Sequence, residues 1–314
     1  MPLSYRLEDM PVFHQASVVT FGVFDGLHLG HQAVIQRVVK EAAIHDLSTT
    51  VLIFYPHPRT FLAPKKCPPI LTSCEKRLEL LEGLGVDMAL FVRFDGQLAG
   101  LSPEVFVQKV LLRHLCARNV IVGYACQFGA NRAGNSGVLK SLGVKHNFSV
   151  TIVPPTQVHG LPVHSTRVRE AVLAGDLALV EQLLGRCYSL IGEIVPGDGR
   201  GRELGFPTAN ITAANQLRPP EGVYVIQAKL EGRVYGGVLN MGVRPTLDGT
   251  KFQIESHLFD FEEIVYGKTI EIFFVKRIRG ERKFSSVQAL VRQIECDVRV
   301  AEEFLKRDEL RGGP

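Results

Sequence analysis

The amino-acid sequence predicts two domains: an α/β domain built on a parallel sheet over residues 1–185, then an antiparallel β-barrel with a C-terminal helix over residues 186–314. Three observations carry this. The chain has 314 residues, more than one core usually serves. Up to Leu184, short apolar runs alternate with helical periodicities, the pattern of right-handed βαβ units and a parallel sheet. From Tyr188 onward the runs are short, several alternate in period two, and Gly and Pro separate them, as in antiparallel strands.

The elements follow in order. Val18–Phe21 is a continuous apolar run, which suits a buried parallel strand. Gln32 to Ile44 carries Val34, Ile35, Val38, Val39, Ala42 and Ala43 at helical spacing. Thr50–Phe54 is a second buried strand, stopped by Tyr55-Pro56-His57-Pro58, which aims His57 outward. Leu71 to Leu84 reads as a helix and Met88 to Phe94 as a strand. Ser102-Pro103-Glu104 combines a cap, a first-turn proline and an acid near the dipole, so a helix runs from there to about Leu115. Asn119–Gly123 and Ser149–Val153 are strands. Ser165 or Thr166 caps a helix over Ala171 to Leu184, with Arg169 one turn inside.

In the second domain the strands are Ser189–Val195, Gly222–Leu230, Val234–Met241, Phe252–Leu258 and Thr269–Ile278, enough for a small closed barrel. A final helix, Ser286 to Arg307, has an apolar stripe of Val287, Leu290, Val291, Ile294, Val298, Ala301, Phe304 and Leu305 that docks on the barrel.

Composition removes several classes. Charged residues make up 22% and hydrophobic residues 46%, which excludes a disordered chain. The net charge of +4 is scattered, with no basic stripe interleaved with aromatics, so no nucleic-acid partner is expected. No apolar run approaches the ~20 residues of a spanning helix. MPLSYRLEDM has no apolar leader core, and a cytoplasmic protein is expected. The six cysteines form no C-x-x-C pair and do not cluster with His at zinc spacing, so free thiols are expected.

Two stretches carry chemistry. The first, GVFDGLHLGH at 22–31, joins the first strand to the first helix. Gly22, Gly26 and Gly30 allow close approach of a ligand, and a helix N-terminus presents unpaired N–H groups to phosphate. His28 and His31, three apart, can both donate to phosphoryl oxygens and stabilise charge on leaving pyrophosphate. The stretch is neither a P-loop nor a dinucleotide fingerprint. A capped helix start with Arg169 close by is a second phosphate-binding arrangement.

The other stretch is Gly197 to Asn210, too rich in glycine for an ordinary hairpin; its backbone can close over a phosphate chain. Thr208 and Asn210 alternate in an extended segment and offer hard oxygens to Mg²⁺. Glu255, on a strand with apolar neighbours, can accept the proton of an attacking hydroxyl. Positioned phosphates, Mg²⁺ and a base are what phosphoryl transfer needs.

With these residues the chain resembles the prokaryotic bifunctional riboflavin kinase/FMN adenylyltransferases, also called FAD synthetases. The matching pieces span nearly the whole chain: GVFDGLHLGH (22–31), FYPHP (54–58), STRVRE (165–170), GRELGFPTAN (201–210), GVY (222–224), NMGVRPT (240–246), ESHL (255–258), YG (266–267) and RGERKF (279–284). The resemblance implies a nucleotidyltransferase domain with a Rossmann-like sheet and a riboflavin kinase barrel. It implies riboflavin, FMN and ATP as substrates, Mg²⁺ as cofactor, FMN and FAD as products, and a monomer or weak homo-oligomer without membrane partners. In the first half it implies that Gly22, Phe24, Asp25, Gly26, His28, Gly30 and His31 bind the ATP phosphates, with His28 and His31 catalytic. Ser165, Thr166 and Arg169 hold the same triphosphate from the opposite side, and His57 and Phe128 lie on the flavin side. In the second half it implies nucleotide binding by Gly201, Gly205, Thr208 and Asn210, Mg²⁺ on Thr208 and Asn210, Glu255 as base, and Arg279 and Glu281 at the flavin-side loop.

The chain departs from the pattern only in the first half. The family's G-x-D/N-F-x-F-G is GYACQFG here, with Ala125 and Cys126 at the changed positions; R-x-G-D is Arg132-Ala133-Gly134-Asn135; and His164 replaces a serine. Two other readings therefore stay open: a riboflavin kinase with a weakened or inactive adenylyltransferase half, and a nucleotidyltransferase for another substrate fused to a barrel that only binds ligand.

Overall fold

The computed structural model describes residues 4–197, 199–213, 216–246, 249–261 and 263–309. The chain forms two compact units, Met1–Ser165 and Thr166–Pro314.

The first unit is a five-stranded parallel sheet. Its strands are β1 (Ser17–Gly22), β2 (Ser48–Tyr55), β3 (Met88–Arg93), β4 (Ala117–Gly123) and β5 (Ser149–Val153), in the order β3-β2-β1-β4-β5. Strand order reverses between β1 and β4, and the crevice outside the carboxyl ends there is the expected ligand position of such a sheet. Gly22 and Gly123, the last residues of β1 and β4, stand at that crevice.

Helix α1 (Leu29–His45) follows β1 and buries Val34, Ile35, Val38 and Ala42 on one face; Asp46 ends it in the left-handed region, at φ 52°. Helix α2 (Cys74–Gly83) is capped by Ser73. The helix expected over 102–115 is α-helical only in α3 (Pro103–Phe106) and continues as a π-helix over Val107–His114. Helix α4 (Ser136–His146), not foreseen, is opened by Asn135, whose Oδ1 accepts from the Gly137 and Val138 N–H groups at 2.9 and 3.0 Å. Phe21, Phe54, Phe106 and Phe128 pack edge to face or tilted in the core on one side of the sheet.

The second unit begins with α5 (Ser165–Ala174, its first residue closing the first unit) and α6 (Leu177–Leu184). Six antiparallel strands then close a barrel: β6 (Tyr188–Val195), β7 (Ala209–Thr212), β8 (Gly222–Leu230), β9 (Arg233–Thr246), β10 (Gly249–Leu258) and β11 (Thr269–Arg279), in the order β6-β7-β10-β9-β8-β11, with β11 pairing back to β6. β7 is the strand that periodicity alone did not single out, being four residues long. Alternation sorts the two faces. Tyr188, Tyr224 and Phe274 pack their rings together, while Val223, Val225 and Val238, of the opposite parity, pack under Ala301 and Leu305 of α7 (Val287–Glu309). Of the stripe expected to dock, Val298, Ala301, Phe304 and Leu305 do so, whereas Val287 is 58% exposed.

Candidate active sites

The turn after β1 is held by its own polar groups. Asp25 is buried, and its carboxylate accepts from the Leu71 N–H at 3.0 and 3.1 Å and from the Thr72 N–H at 3.2 Å. The guanidinium of Arg77, also buried, lies 3.5 Å from Asp25 and donates to the carbonyls of Val23 and Thr72 at 3.0 and 3.1 Å. The Gly26 N–H donates to Thr72 Oγ1 at 3.0 Å. Ser165, the first residue of STRVRE, donates from its hydroxyl to the Asp25 carbonyl at 3.0 Å. In this arrangement the Asp25 side chain ties the turn to residues 71–77 rather than pointing into open space.

His28 caps α1: its Nδ1 accepts from the His31 N–H at 3.3 Å. The two imidazoles stack, with ring centroids 3.7 Å apart and planes 18° from parallel, and Phe24 meets His31 edge-on at 5.2 Å. Gly30 eases this stacking: a Cβ there would stand 3.2 Å from the His28 ring and 3.2 Å from the Val163 carbonyl, a tight fit. Burial, then the neighbouring His28 and Arg77, hold the His31 pKa well below the ordinary imidazole value. His31 is thus neutral here, and its buried Nδ1 has no hydrogen-bond partner among the described residues. Two stacked imidazoles beside a guanidinium, one with an unused nitrogen, form a site that an anion would complete.

The remaining first-half predictions sit as follows. Gly22 ends β1, next to Phe24. Thr166 is exposed and Arg169 half-buried, both in α5 of the second unit. His57 caps the short helix Pro58–Leu62, accepting from the Arg59 N–H at 3.1 Å. Phe128 is only 5% exposed and its ring belongs to the aromatic core, so the expected flavin contact is not what its position offers. Of the departures, Asn135 is a helix cap and Ala125 is exposed. The Cys126 thiol is pushed up to about 12 by burial, so it is un-ionised.

In the barrel, register builds the site. Val195 of β6 opposes Asn210 of β7, Asn210 opposes Glu255 of β10, Glu255 opposes Asn240 of β9, and Asn240 opposes Val223 of β8. Directly opposed residues share a face, so Asn210, Glu255 and Asn240 form one polar row. Leu239 and Met241, flanking Asn240 with the other parity, are fully buried. The row therefore lies on the barrel's outer face.

The glycine-rich loop lies against this row. A Cβ on Gly197 would overlap the Asn210 amide, and one on Gly201 would come within 2.8 Å of Thr208 Oγ1. Gly205 holds φ at +87° in the turn before Phe206. Asp198 of the same loop is outside the described residues. His257, which sequence reasoning did not single out, anchors the segment: its Nδ1 lies 2.8 Å from the Pro207 carbonyl and its ring meets Phe206 edge-on at 5.7 Å. His257 was within reach, being two residues past Glu255 on the same strand face.

At the far end of β11, Arg279 is engaged by Asp297 of α7 through Nε at 3.1–3.2 Å and Nη2 at 2.8 Å. A Cβ on Gly242 would overlap the Glu281 carboxylate, so Glu281 lies over β9 beside the polar row. RGERKF is thus anchored at Arg279 by a buried aspartate of α7, and its Glu281 passes over a glycine of NMGVRPT.

Comparison with known proteins agrees with both halves. A family model described as FAD synthetase matches residues 10–167, and one described as riboflavin kinase matches residues 184–305. A bifunctional riboflavin kinase/FMN adenylyltransferase from Escherichia coli strain K12 is 38% identical over 291 residues, 92% of this chain and 93% of that one. Another, from Haemophilus influenzae, is 37% identical over 291 residues, covering 92% and 94%. A crystal structure described as a macrolide-efflux protein from Streptococcus pneumoniae matches with a TM-score of 0.85 at 30% identity, covering 94% of this chain and 97% of that one. Among the described residues here, no helix is long and apolar enough to cross a membrane. Two halves matched in the right order, with relatives 37% and 38% identical over 92% of the chain, leave one assignment: the chain belongs to the bifunctional riboflavin kinase/FMN adenylyltransferase family.

Proposed function

We propose that the chain phosphorylates riboflavin to FMN with ATP, then transfers the adenylyl group of a second ATP to FMN, giving FAD and pyrophosphate. The observation that carries this is the pairing of a stacked-histidine turn at the switch point of one unit with the Asn210–Glu255 register pair under a glycine-rich loop in the other.

In the barrel, Glu255 takes the proton of the ribityl hydroxyl as its oxygen attacks the γ-phosphorus, and ADP leaves. The loop's backbone, brought close by Gly197 and Gly201, covers the phosphates. Thr208 and Asn210 fit Mg²⁺, since a hydroxyl and an amide carbonyl are hard oxygen donors and both side chains stand against the loop that would carry the phosphates. When bound there, the ion neutralises charge on the phosphates.

In the first unit, α1 presents its N-terminus to the triphosphate, while His28 and His31 donate to phosphate oxygens. The FMN phosphate attacks the α-phosphorus in line, and the imidazoles stabilise charge on the departing pyrophosphate. Ser165, bonded to the Asp25 carbonyl, would hold the triphosphate from the other side. His57 would lie near the flavin, and Arg279 and Glu281 would order the riboflavin-side loop. Water-soluble substrates support a cytoplasmic location. The stacked histidines and the intact Asn135 cap give no support to an inactive first half.

The test is a product assay with ATP and Mg²⁺, starting from riboflavin and separately from FMN. FMN followed by FAD is expected from the first, and FAD from the second. Unchanged riboflavin would overturn the kinase assignment, and unchanged FMN the adenylyltransferase one.

A further inference from the structure

We infer that Asn240 is a positioning residue of the kinase centre: in the substrate complex its amide, directly across the ladder, turns to one oxygen of the Glu255 carboxylate and leaves the other aimed at the attacking hydroxyl. This rests on the reading of Glu255 as the base.

The inference comes from register. Asn240 stands directly opposite Glu255, on the side away from Asn210, and shares the outer face of the barrel with it. Opposed side chains start about 4.5–5.5 Å apart at Cβ, within reach of one hydrogen bond. Asn240 is half-buried in the middle of a fourteen-residue strand, and its amide forms no hydrogen bond among the described residues. Asn is depleted in strands because it neither packs well on the pleat nor leaves its polar group satisfied. A purely structural position beside Val223 would be better filled by Val or Thr.

The next position along the same face of β9 is Gly242, where the Glu281 carboxylate occupies the space of a side chain. Asn240 is therefore directly across from Glu255 and one step along the face from the space that Glu281 fills. In the reaction, the ribityl O–H proton passes to one Glu255 oxygen, the new bond forms from that hydroxyl oxygen to the γ-phosphorus, and the γ-phosphorus bond to the bridging oxygen breaks as ADP departs. Only a carboxylate fixed by its other oxygen keeps the receiving lone pair on that line.

The full-length protein is assayed with riboflavin, ATP and Mg²⁺ as wild type, Asn240→Ala, Asn240→Asp and Glu255→Gln. Conversion of FMN to FAD and riboflavin binding by fluorescence quenching report folding. For Asn240→Ala the expected result is a kcat for FMN formation lower by about tenfold to a hundredfold, with riboflavin KM and Kd within about threefold. Asn240→Asp keeps the shape but replaces the donor with an acceptor, so it is expected to be slower than Asn240→Ala. An aspartate variant faster than the alanine variant would mean that Asn240 only fills space and would overturn the inference. So would a raised KM with unchanged kcat. If Glu255→Gln keeps the wild-type rate, the reading of Glu255 fails; if it is inactive while Asn240→Ala is unimpaired, only the Asn240 assignment fails.

Discussion

The two catalytic regions are built in opposite ways. At the β1–α1 turn, functional side chains and scaffold are the same atoms. His28 is at once the imidazole proposed to face phosphate and the cap of α1, and Asp25 binds the 71–72 backbone and Arg77. On the barrel, the ladder sets the positions of Asn210, Asn240 and Glu255, and their side chains project from an already paired backbone. A lesion in the turn should therefore damage chemistry and stability together, whereas a lesion in the polar row should remove chemistry and leave the barrel standing.

The largest expected effect is the reciprocal knockout. Glu255→Gln should lower FMN formation by about 10²–10⁴-fold, the usual contribution of a general base, with FMN-to-FAD conversion unchanged. His28→Ala should lower FAD formation by about 10²–10³-fold while riboflavin phosphorylation persists. The contrast lies in stability. Glu255→Gln should leave stability within about 0.5 kcal/mol of wild type, while His28→Ala should cost about 1 kcal/mol for the lost cap. Chromatography of products and denaturant melts on the same samples would decide it. Loss of both activities from either change would contradict separate centres.

Next is Asp25. Removing one partner of a buried ion pair leaves the other charge uncompensated, so Asp25→Ala should destabilise the first unit by about 3–5 kcal/mol through the stranded Arg77. Near-wild-type stability with lost ATP binding would instead assign Asp25 to the ligand.

The same contrast explains what could be read without coordinates. The turn site lies within ten consecutive residues, so strand, glycines, histidines and helix were visible together. So were the strand alternation and the long C-terminal helix. The barrel row joins residues 210, 240 and 255, which come together only when β7, β10 and β9 pair. Periodicity carries no register information between strands, and Glu255 and Asn210 were linked in advance by their chemistry and by the family resemblance, not by position. Asn240 was left out for the same reason, whereas His257, on the same strand as Glu255, could have been read from alternation alone. Helix α4 was overlooked although Asn135 followed by Val138, Leu139 and Leu142 is a capped apolar pattern. The motif comparison drew attention to the Asn as a departure rather than as a cap. Phe128 was misplaced because an aromatic in a motif says nothing about which side of the sheet its ring faces.

A smaller effect follows from His31. Its folded pKa is depressed, so below about pH 6.5 the unfolded chain binds a proton that the folded chain refuses. Stability therefore falls as pH drops from 6.5 toward the folded value, by at most about 1.4 kcal/mol per pH unit, and is unaffected above that window. His31→Gln should flatten this part of the curve in urea titrations between pH 7 and 5. Riboflavin phosphorylation, which does not use His31, should not follow it. A wild-type curve that stays flat across the window would remove His31 as a neutral buried group.

The smallest effect is expected at Asn135, where the chain departs from the family's aspartate. Its Oδ1 accepts from two N–H groups of the first turn of α4, a role Asn and Asp fill about equally well. An aspartate would add a negative charge at a helix N-terminus, worth about 0.3–1 kcal/mol. Asn135→Asp should therefore stabilise the first unit by no more than that and leave FAD formation within about twofold. Asn135→Ala, which removes the acceptor, should cost about 1 kcal/mol. The pair separates two explanations of the departure. If the carboxylate matters for chemistry, Asn135→Asp will raise the rate of FAD formation severalfold while stability barely moves. If the cap is the whole function of the position, both readouts will stay near wild type for Asp and only stability will fall for Ala.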